Sequence, residues 1–217
     1  VGIQEYRQTA GVWMRGILRD EYGVDTDTIN WVEGGVDVPR KPSASDVRPD
    51  RELHIGKLVD HDTLSAALAG GEIDAVMAAR VPSSPRTNTD IVRLIPDFRI
   101  VEQDWFARTG IFPIMHTVVI REALYRDNPW IAQSLFAAFE ASKARAMEQM
   151  LYTGALMYMT PWMFDDLDEM DRVFGGDPWP YGLEPNRAHL DTFLHYLVEE
   201  AFLPMPTPLD TLFAAVQ

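Results

Sequence analysis

The alternation of apolar and polar positions changes character about halfway along the chain. From Thr9 onward, Ala10, Trp13, Met14, Ile17 and Leu18 fall on one helical face while Arg15, Arg19 and Asp20 fall outside it, so the spacing predicts an amphipathic helix stopped by Gly23. Short apolar runs at Val1 to Ile3 and Ile29 to Val32 predict flanking strands, which makes one α/β unit. Gly34 to Arg51 is polar and carries Pro39, Pro42 and Pro49, predicting a long excursion without regular structure. Leu64, Ala67 and Leu68 then predict a short helix ended by Gly70 and Gly71, and Ile73 to Ala78 a buried strand. Ile91 to Ile100 and Asp104 to Arg108 fit neither period well.

Phe112 to Ile120 is apolar and β-branched and predicts another strand, this one carrying His116. Helices dominate beyond it. Asn128 as N-cap and Pro129 at the first helical position predict a long helix that buries Ile131, Leu135, Ala138 and Phe139. A further helix is predicted over 161–173, and Leu190, Phe193, Leu194 and Leu197 mark a last one. Between these two, the prolines and glycines of Gly175 to Pro185 break the pattern. The fold class expected is α/β, with an α/β lobe followed by a mostly helical segment and no internal repeat.

Composition narrows the function. The chain has 217 residues, 47% hydrophobic and 24% charged, enough for a folded core. Its 33 acidic residues outnumber 19 basic ones, for a net charge of −14, and no basic run could track a phosphate backbone, so no nucleic-acid partner is expected. No apolar stretch approaches the roughly 18 residues of a membrane span, so no membrane insertion is expected. The absence of cysteine excludes disulfides, thiolate metal sites and cysteine nucleophiles. Metal-ligand spacing is also missing: His54 and His61 lie in or beside a loop, and His189 and His195 do not share a helical face. With no phosphate loop, dinucleotide fingerprint or nucleophile elbow, neither a metal nor an organic cofactor is expected.

Four places carry candidate chemistry. The junction Gln4-Glu5-Tyr6-Arg7-Gln8-Thr9 leads from a strand into a helix whose free N–H groups attract anions; alternatively Gln8 or Thr9 only caps that helix and Glu5 and Arg7 are solvated. Arg80 directly follows a predicted strand, at the carboxyl end where ligands bind in open α/β sheets, or else forms a surface salt bridge. His116 could serve as a general acid or base, or as a hydrogen-bonded structural residue. The run Trp179-Pro-Tyr-Gly-Leu-Glu-Pro-Asn-Arg187 places aromatic surface, a carboxylate, an amide and a guanidinium just before a helix, as a binding loop or as a rigid connection.

Taken together, VGIQEYRQTAGVWMRGIL at 1–18, GEIDAVMAAR at 71–80, TGIFPIMHTVVIR at 109–121 and DPWPYGLEPNRAHLDTFLHYL at 177–197 resemble the 4,5-dihydroxyphthalate decarboxylase family. The likeness extends over essentially the whole chain. It implies a fold like that of type II periplasmic solute-binding proteins, with residues 1–112 as the second α/β lobe and 113–217 as a mostly helical return to the first. It also implies that the family's amino-terminal segment, which forms most of the first lobe, is missing here. The implied substrate is a small hydroxylated aromatic dicarboxylate that loses one carboxylate as carbon dioxide without a cofactor.

On that resemblance, His116 gives the proton to the ring carbon, Glu184 or Glu5 draws the proton from a ring phenol, and Arg80 and Arg187 hold carboxylates. Tyr6, Arg7, Gln8, Thr9 and Asn186 complete the binding set, and Trp179 and Tyr181 pack on the ring and exclude water. The alternative is a transporter-type solute-binding protein for a small, aromatic or other, anion, using the same arginines without a proton donor. The enzyme reading goes with a cytoplasmic location and is compatible with a homo-oligomer; the receptor reading goes with an export signal and a periplasmic one.

Overall fold

The computed structural model describes residues 1–40, 47–154 and 158–216. Residues 41–46 of the predicted excursion, Pro42 among them, lie outside the described residues. The chain divides into two units, Val1–Phe98 with Thr192–Pro206, and Arg99–Asp191 with Thr207–Gln217.

The first unit is built on four short parallel strands: β1 (Gly2–Ile3), β2 (Trp31–Glu33), β3 (Ile55–Lys57) and β4 (Val76–Met77), in the order β3-β2-β1-β4. Register pairs Ile3 with Glu33 on one side and with Met77 on the other. Parallel neighbours require crossovers, supplied by α1 (Thr9–Tyr22) and α2 (Leu64–Gly70). The expected strand Ile73 to Ala78 shrinks to the two half-buried residues of β4, because β4 is an edge strand with a neighbour on one side only. Sequence periodicity missed β3, which is three residues long with glycine at its centre.

Two apolar clusters hold the sheet. Ile3, Tyr6 and Trp31 form one, and Val36, Leu64, Ala67 and Ile73 the other. As predicted, α1 ends where Gly23 takes a left-handed conformation, φ 63°, and returns its N–H to the helix's last carbonyls. Thr63 caps α2 through Oγ1, which accepts the N–H of Ala66 at 3.2 Å. Thr63→Ala is expected to cost about 1 kcal/mol in urea unfolding, and an unchanged midpoint would rule out this cap as a contributor.

Arg15 corrects the sequence reading. It was expected on the polar side of α1 but is completely buried, forming a two-pronged ion pair with the equally buried Glu200. Its guanidinium also donates to the Tyr6 carbonyl at 2.9 Å and lies 3.8 Å from the Tyr6 ring centroid. Burial pushes the Glu200 carboxyl above its ordinary range, and the Arg15 hydrogen bonds oppose that shift.

The second unit contains α3 over most of its length (Phe98–Thr109), α4 (Glu122–Asp127), α5 (Trp130–Leu151), α6 (Met163–Phe174) and the first half of α7 (Leu183–Glu199). The expected strand over 112–120 has no regular secondary structure. A strand needs a hydrogen-bonded neighbour, and all four strands among the described residues belong to the first unit. Asn128 closes α4, its N–H bonded to the Leu124 and Tyr125 carbonyls, while Pro129 takes the N-cap position of α5. Of the expected α5 stripe, Ile131 is half-buried and Leu135, Ala138 and Phe139 are exposed; the buried residue is Ala132. That face of α5 borders an open cavity rather than a packed neighbour. Helix α6 begins and ends within two residues of expectation, and Gly175, φ 70°, stops it. No helix among the described residues is long and apolar enough to cross a membrane.

Candidate active site

Candidate residues in the first unit gather at the carboxyl ends of β1 and β4, the adjacent strands where the winding of the sheet changes direction. Glu5, Tyr6, Arg7, Gln8 and Thr9 follow β1 into α1, and Arg80 lies three residues past β4. Arg80 is exposed and has no ion-pair partner among the described residues. Glu5 pairs with Arg7 at 2.8 Å and with Arg40 at 3.4 Å, and Arg40 also pairs with Glu33. The Glu33 carboxylate accepts the Tyr6 N–H at 2.7 Å, which fixes the start of the loop. Gln8 occupies the N-cap of α1 with no side-chain cap bond, and Gln4 Oε1 is buried without a hydrogen-bond partner. This end of the sheet is a nearly self-neutralised network with Arg80 beside it in the topology.

Tyr6 is a core residue. It is 2% exposed, edge-on to Trp31 and stacked on Phe202, and its hydroxyl accepts from Arg51 at 2.8 Å. Burial raises its pKa above the usual value, so it holds its proton. Its side chain is therefore committed to the core of the first unit.

In the second unit, His116, Trp179, Tyr181 and Asn186 line one cavity of about 690 Å³, a volume suited to a small molecule. Its walls are largely apolar, with Phe112, Phe136 and Phe139 adding aromatic surface to that of Trp179 and Tyr181. Phe112 meets Trp179 edge-on with ring centroids 5.6 Å apart. Asn186 Nδ2 donates to the carbonyls of Pro180 at 2.6 Å and Gly182 at 2.8 Å, so it shapes the loop that carries both aromatic residues. His116 is exposed on its irregular segment rather than buried in a strand.

Glu184 and Arg187 stand one turn apart on α7 and pair with each other; Arg187 also pairs with Asp210 at 2.9 Å. The guanidinium holds both carboxyls below their usual range. Glu184 is therefore ionised, and the charge of Arg187 is already shared between two carboxylates.

Four participants were not legible as such. Arg40 and Glu33 complete the first-unit network, and Lys143 and His189 line the cavity. Lys143 donates to Asp177 at 2.6 Å, to Glu140 at 3.3 Å and to the Trp179 carbonyl at 3.0 Å, with its ammonium 4.0 Å from the Tyr181 ring centroid. Burial works against its charge, yet these carboxylates hold its pKa above the ordinary lysine value. Helical spacing was the available signal for His189, because Asn186, His189 and Leu190 share one face of α7 and all three line the cavity. Among the described residues no group of three or more acidic or histidine side chains could hold a metal ion.

Fold and site together define an α/β protein with an aromatic-walled pocket for a small molecule. No protein-family model matches the chain. A 4,5-dihydroxyphthalate decarboxylase from Comamonas testosteroni is 35% identical over 195 residues, which make up 89% of this chain and 59% of the relative. A second protein of that name, from Pseudomonas putida, is 29% identical over 107 residues, 49% of this chain and 42% of the relative. The chain is therefore similar to two proteins named 4,5-dihydroxyphthalate decarboxylase, and it spans less than two thirds of the length of either.

Proposed function

We propose that the protein removes one carboxylate, as carbon dioxide, from a hydroxylated aromatic dicarboxylate such as 4,5-dihydroxyphthalate. The observation that carries this reading is the 35% identity to a decarboxylase of that name over 195 residues. The aromatic-walled cavity supports it, since flat hydrophobic walls accept a ring by its faces.

An aryl carbanion is too unstable to be left behind, so the ring carbon is protonated before or during carbon–carbon cleavage. A phenol para to that carbon supplies the electron density. His116 is proposed as the proton donor, and Glu184 or Glu5 as the acceptor of the phenol proton. Glu184 is ionised and so able to take up a proton, while its pair with Arg187, which lowers its pKa, weakens it as a base. Arg80, which has no ion-pair partner among the described residues, is proposed as a carboxylate clamp, with the α1 amino terminus at Thr9 and contacts from Tyr6, Arg7 and Gln8. Arg187 clamps a carboxylate only by giving up part of its hold on Glu184 or Asp210. Trp179 and Tyr181, held by Asn186, are proposed to cover the ring and keep water away.

The finer architecture belongs to the same proposal: a type II binding-protein-like arrangement with 1–112 as its second lobe and 113–217 returning to the first, in the cytoplasm. The parallel sheet β3-β2-β1-β4 supports the α/β part of that reading.

Substrate comparison tests the reading. The intact gene product is expected to consume 4,5-dihydroxyphthalate and leave phthalate untouched, because phthalate lacks the phenol that feeds electrons to the ring. Equal rates on both would contradict the mechanism, and consumption of neither, with saturable binding, would contradict the activity.

A further inference from the structure

One cation ties together two walls of the second-unit cavity. Helix α5 contributes Leu135, Phe136 and Phe139 to the lining, and residues 177–181, between α6 and α7, contribute Trp179 and Tyr181. That short segment is set off by Gly176, φ 121°, and Gly182, φ 97°, backbone conformations that side chains rarely adopt, and Pro178 and Pro180 stiffen it. It belongs to no helix or strand, so its shape depends on the groups that grip it. Asn186 grips it from α7 through the Pro180 and Gly182 carbonyls. Lys143 grips it from α5: the ammonium donates to the Asp177 carboxylate at 2.6 Å and to the Trp179 carbonyl at 3.0 Å, and lies 4.0 Å from the Tyr181 ring centroid. Asp177 holds the lysine with one carboxylate oxygen, and with the other it accepts the Trp179 N–H at 2.8 Å.

An ammonium has three N–H donors, and Glu140 takes the third at 3.3 Å. Lys143 therefore lines the cavity with no hydrogen left for a ligand. Burial works against its charge and the carboxylates of Asp177 and Glu140 outweigh it, so the grip persists at neutral pH. We propose that Lys143 is a positioning residue, which holds residues 177–181 to α5 in the shape that presents Trp179 and Tyr181 as a preformed wall for an aromatic ring. The proposal rests on the decarboxylase reading of this cavity for the ring, and on the contacts of Lys143 alone for the latch. A preformed wall favours binding because the ligand need not order it, and a segment that holds the competent shape only a fraction of the time weakens binding by that fraction. Partly exposed ion pairs add little to stability, so the latch acts on binding more than on folding.

The test uses the intact gene product with 5-fluorotryptophan in place of tryptophan. The ¹⁹F resonance of Trp179, assigned by its loss in Trp179→Phe, is expected to shift or broaden in Lys143→Met, which keeps the apolar stem and removes the donors. It is expected to return in Lys143→Arg, which keeps the charge and the donors, and to move in Asp177→Asn, which weakens the same grip from the other partner. Lys143→Met is expected to weaken 3,4-dihydroxybenzoate binding about tenfold and to raise KM for 4,5-dihydroxyphthalate by a similar factor, with kcat within about threefold and the urea midpoint unchanged. Lys143→Arg is expected to recover the affinity to within about threefold. A Trp179 resonance that stays in place in both Lys143→Met and Asp177→Asn would overturn the proposal and leave the decarboxylase reading standing. So would wild-type affinity in Lys143→Met, or a lost affinity that comes with a lowered urea midpoint and is not recovered in Lys143→Arg. A resonance displaced in Lys143→Met and restored in Lys143→Arg, in a protein that binds no 3,4-dihydroxybenzoate at millimolar concentration, would uphold the latch and overturn the decarboxylase reading.

Discussion

Replacing His116 by alanine is expected to lower kcat/KM for decarboxylation by about 100- to 10,000-fold, the range that a positioned proton donor contributes. The side chain is exposed on a segment without regular structure, so the substitution removes little packing. Thermal stability should therefore stay within about 0.5 kcal/mol of wild type, as for other surface changes. Affinity for 3,4-dihydroxybenzoate should change only a few-fold, because the cavity proposed to hold it keeps its apolar walls. Carbon dioxide release measured against substrate concentration separates these effects. Turnover retained in His116→Ala would move the donor role to another group.

The second large effect concerns stability. Truncating Glu200 to alanine leaves the Arg15 charge buried and unpaired, and breaking such a pair costs about 3–5 kcal/mol. That is a large share of the stability of a domain this size. The damage extends toward the site, since Arg15 also holds the Tyr6 carbonyl and Tyr6 anchors the loop between β1 and α1. Replacing both partners by apolar residues of similar volume, Arg15→Met with Glu200→Leu, is expected to recover most of the loss, because the desolvation cost of both charges disappears with them. Urea unfolding followed by tryptophan fluorescence reads all three proteins. A Glu200→Ala midpoint equal to wild type would show that the pair contributes nothing.

The same pair shows where the sequence stops being informative. Helical spacing located α1 and its Gly23 stop, since both follow from contacts within a few residues. It put Arg15 on the polar side because its partner lies 185 residues away. Residues 112–120 have the composition of a strand, yet strand formation depends on a neighbour that local pattern does not report. The apolar stripe of α5 was legible, but whether it packs or borders a cavity is a tertiary matter.

The site divides in the same way. Position after a strand was enough to place Glu5 to Thr9 and Arg80 at the carboxyl ends of neighbouring strands. His116, Trp179, Tyr181 and Asn186 were named from their chemistry, and the fold gives them one cavity. Arg40 was hidden in a proline-dotted excursion, and Lys143 lies on the helix α5 beyond its expected buried stripe of Ile131, Leu135, Ala138 and Phe139. His189 was weighed against metal spacing, although its spacing from Asn186 was the useful signal.

The most direct measurement is analysis of the products formed from 4,5-dihydroxyphthalate by the intact gene product in deuterium oxide. The account predicts equimolar carbon dioxide and 3,4-dihydroxybenzoate, with one non-exchanging deuterium on the ring carbon that lost its carboxylate. Saturable binding with the dicarboxylate recovered unchanged would contradict it.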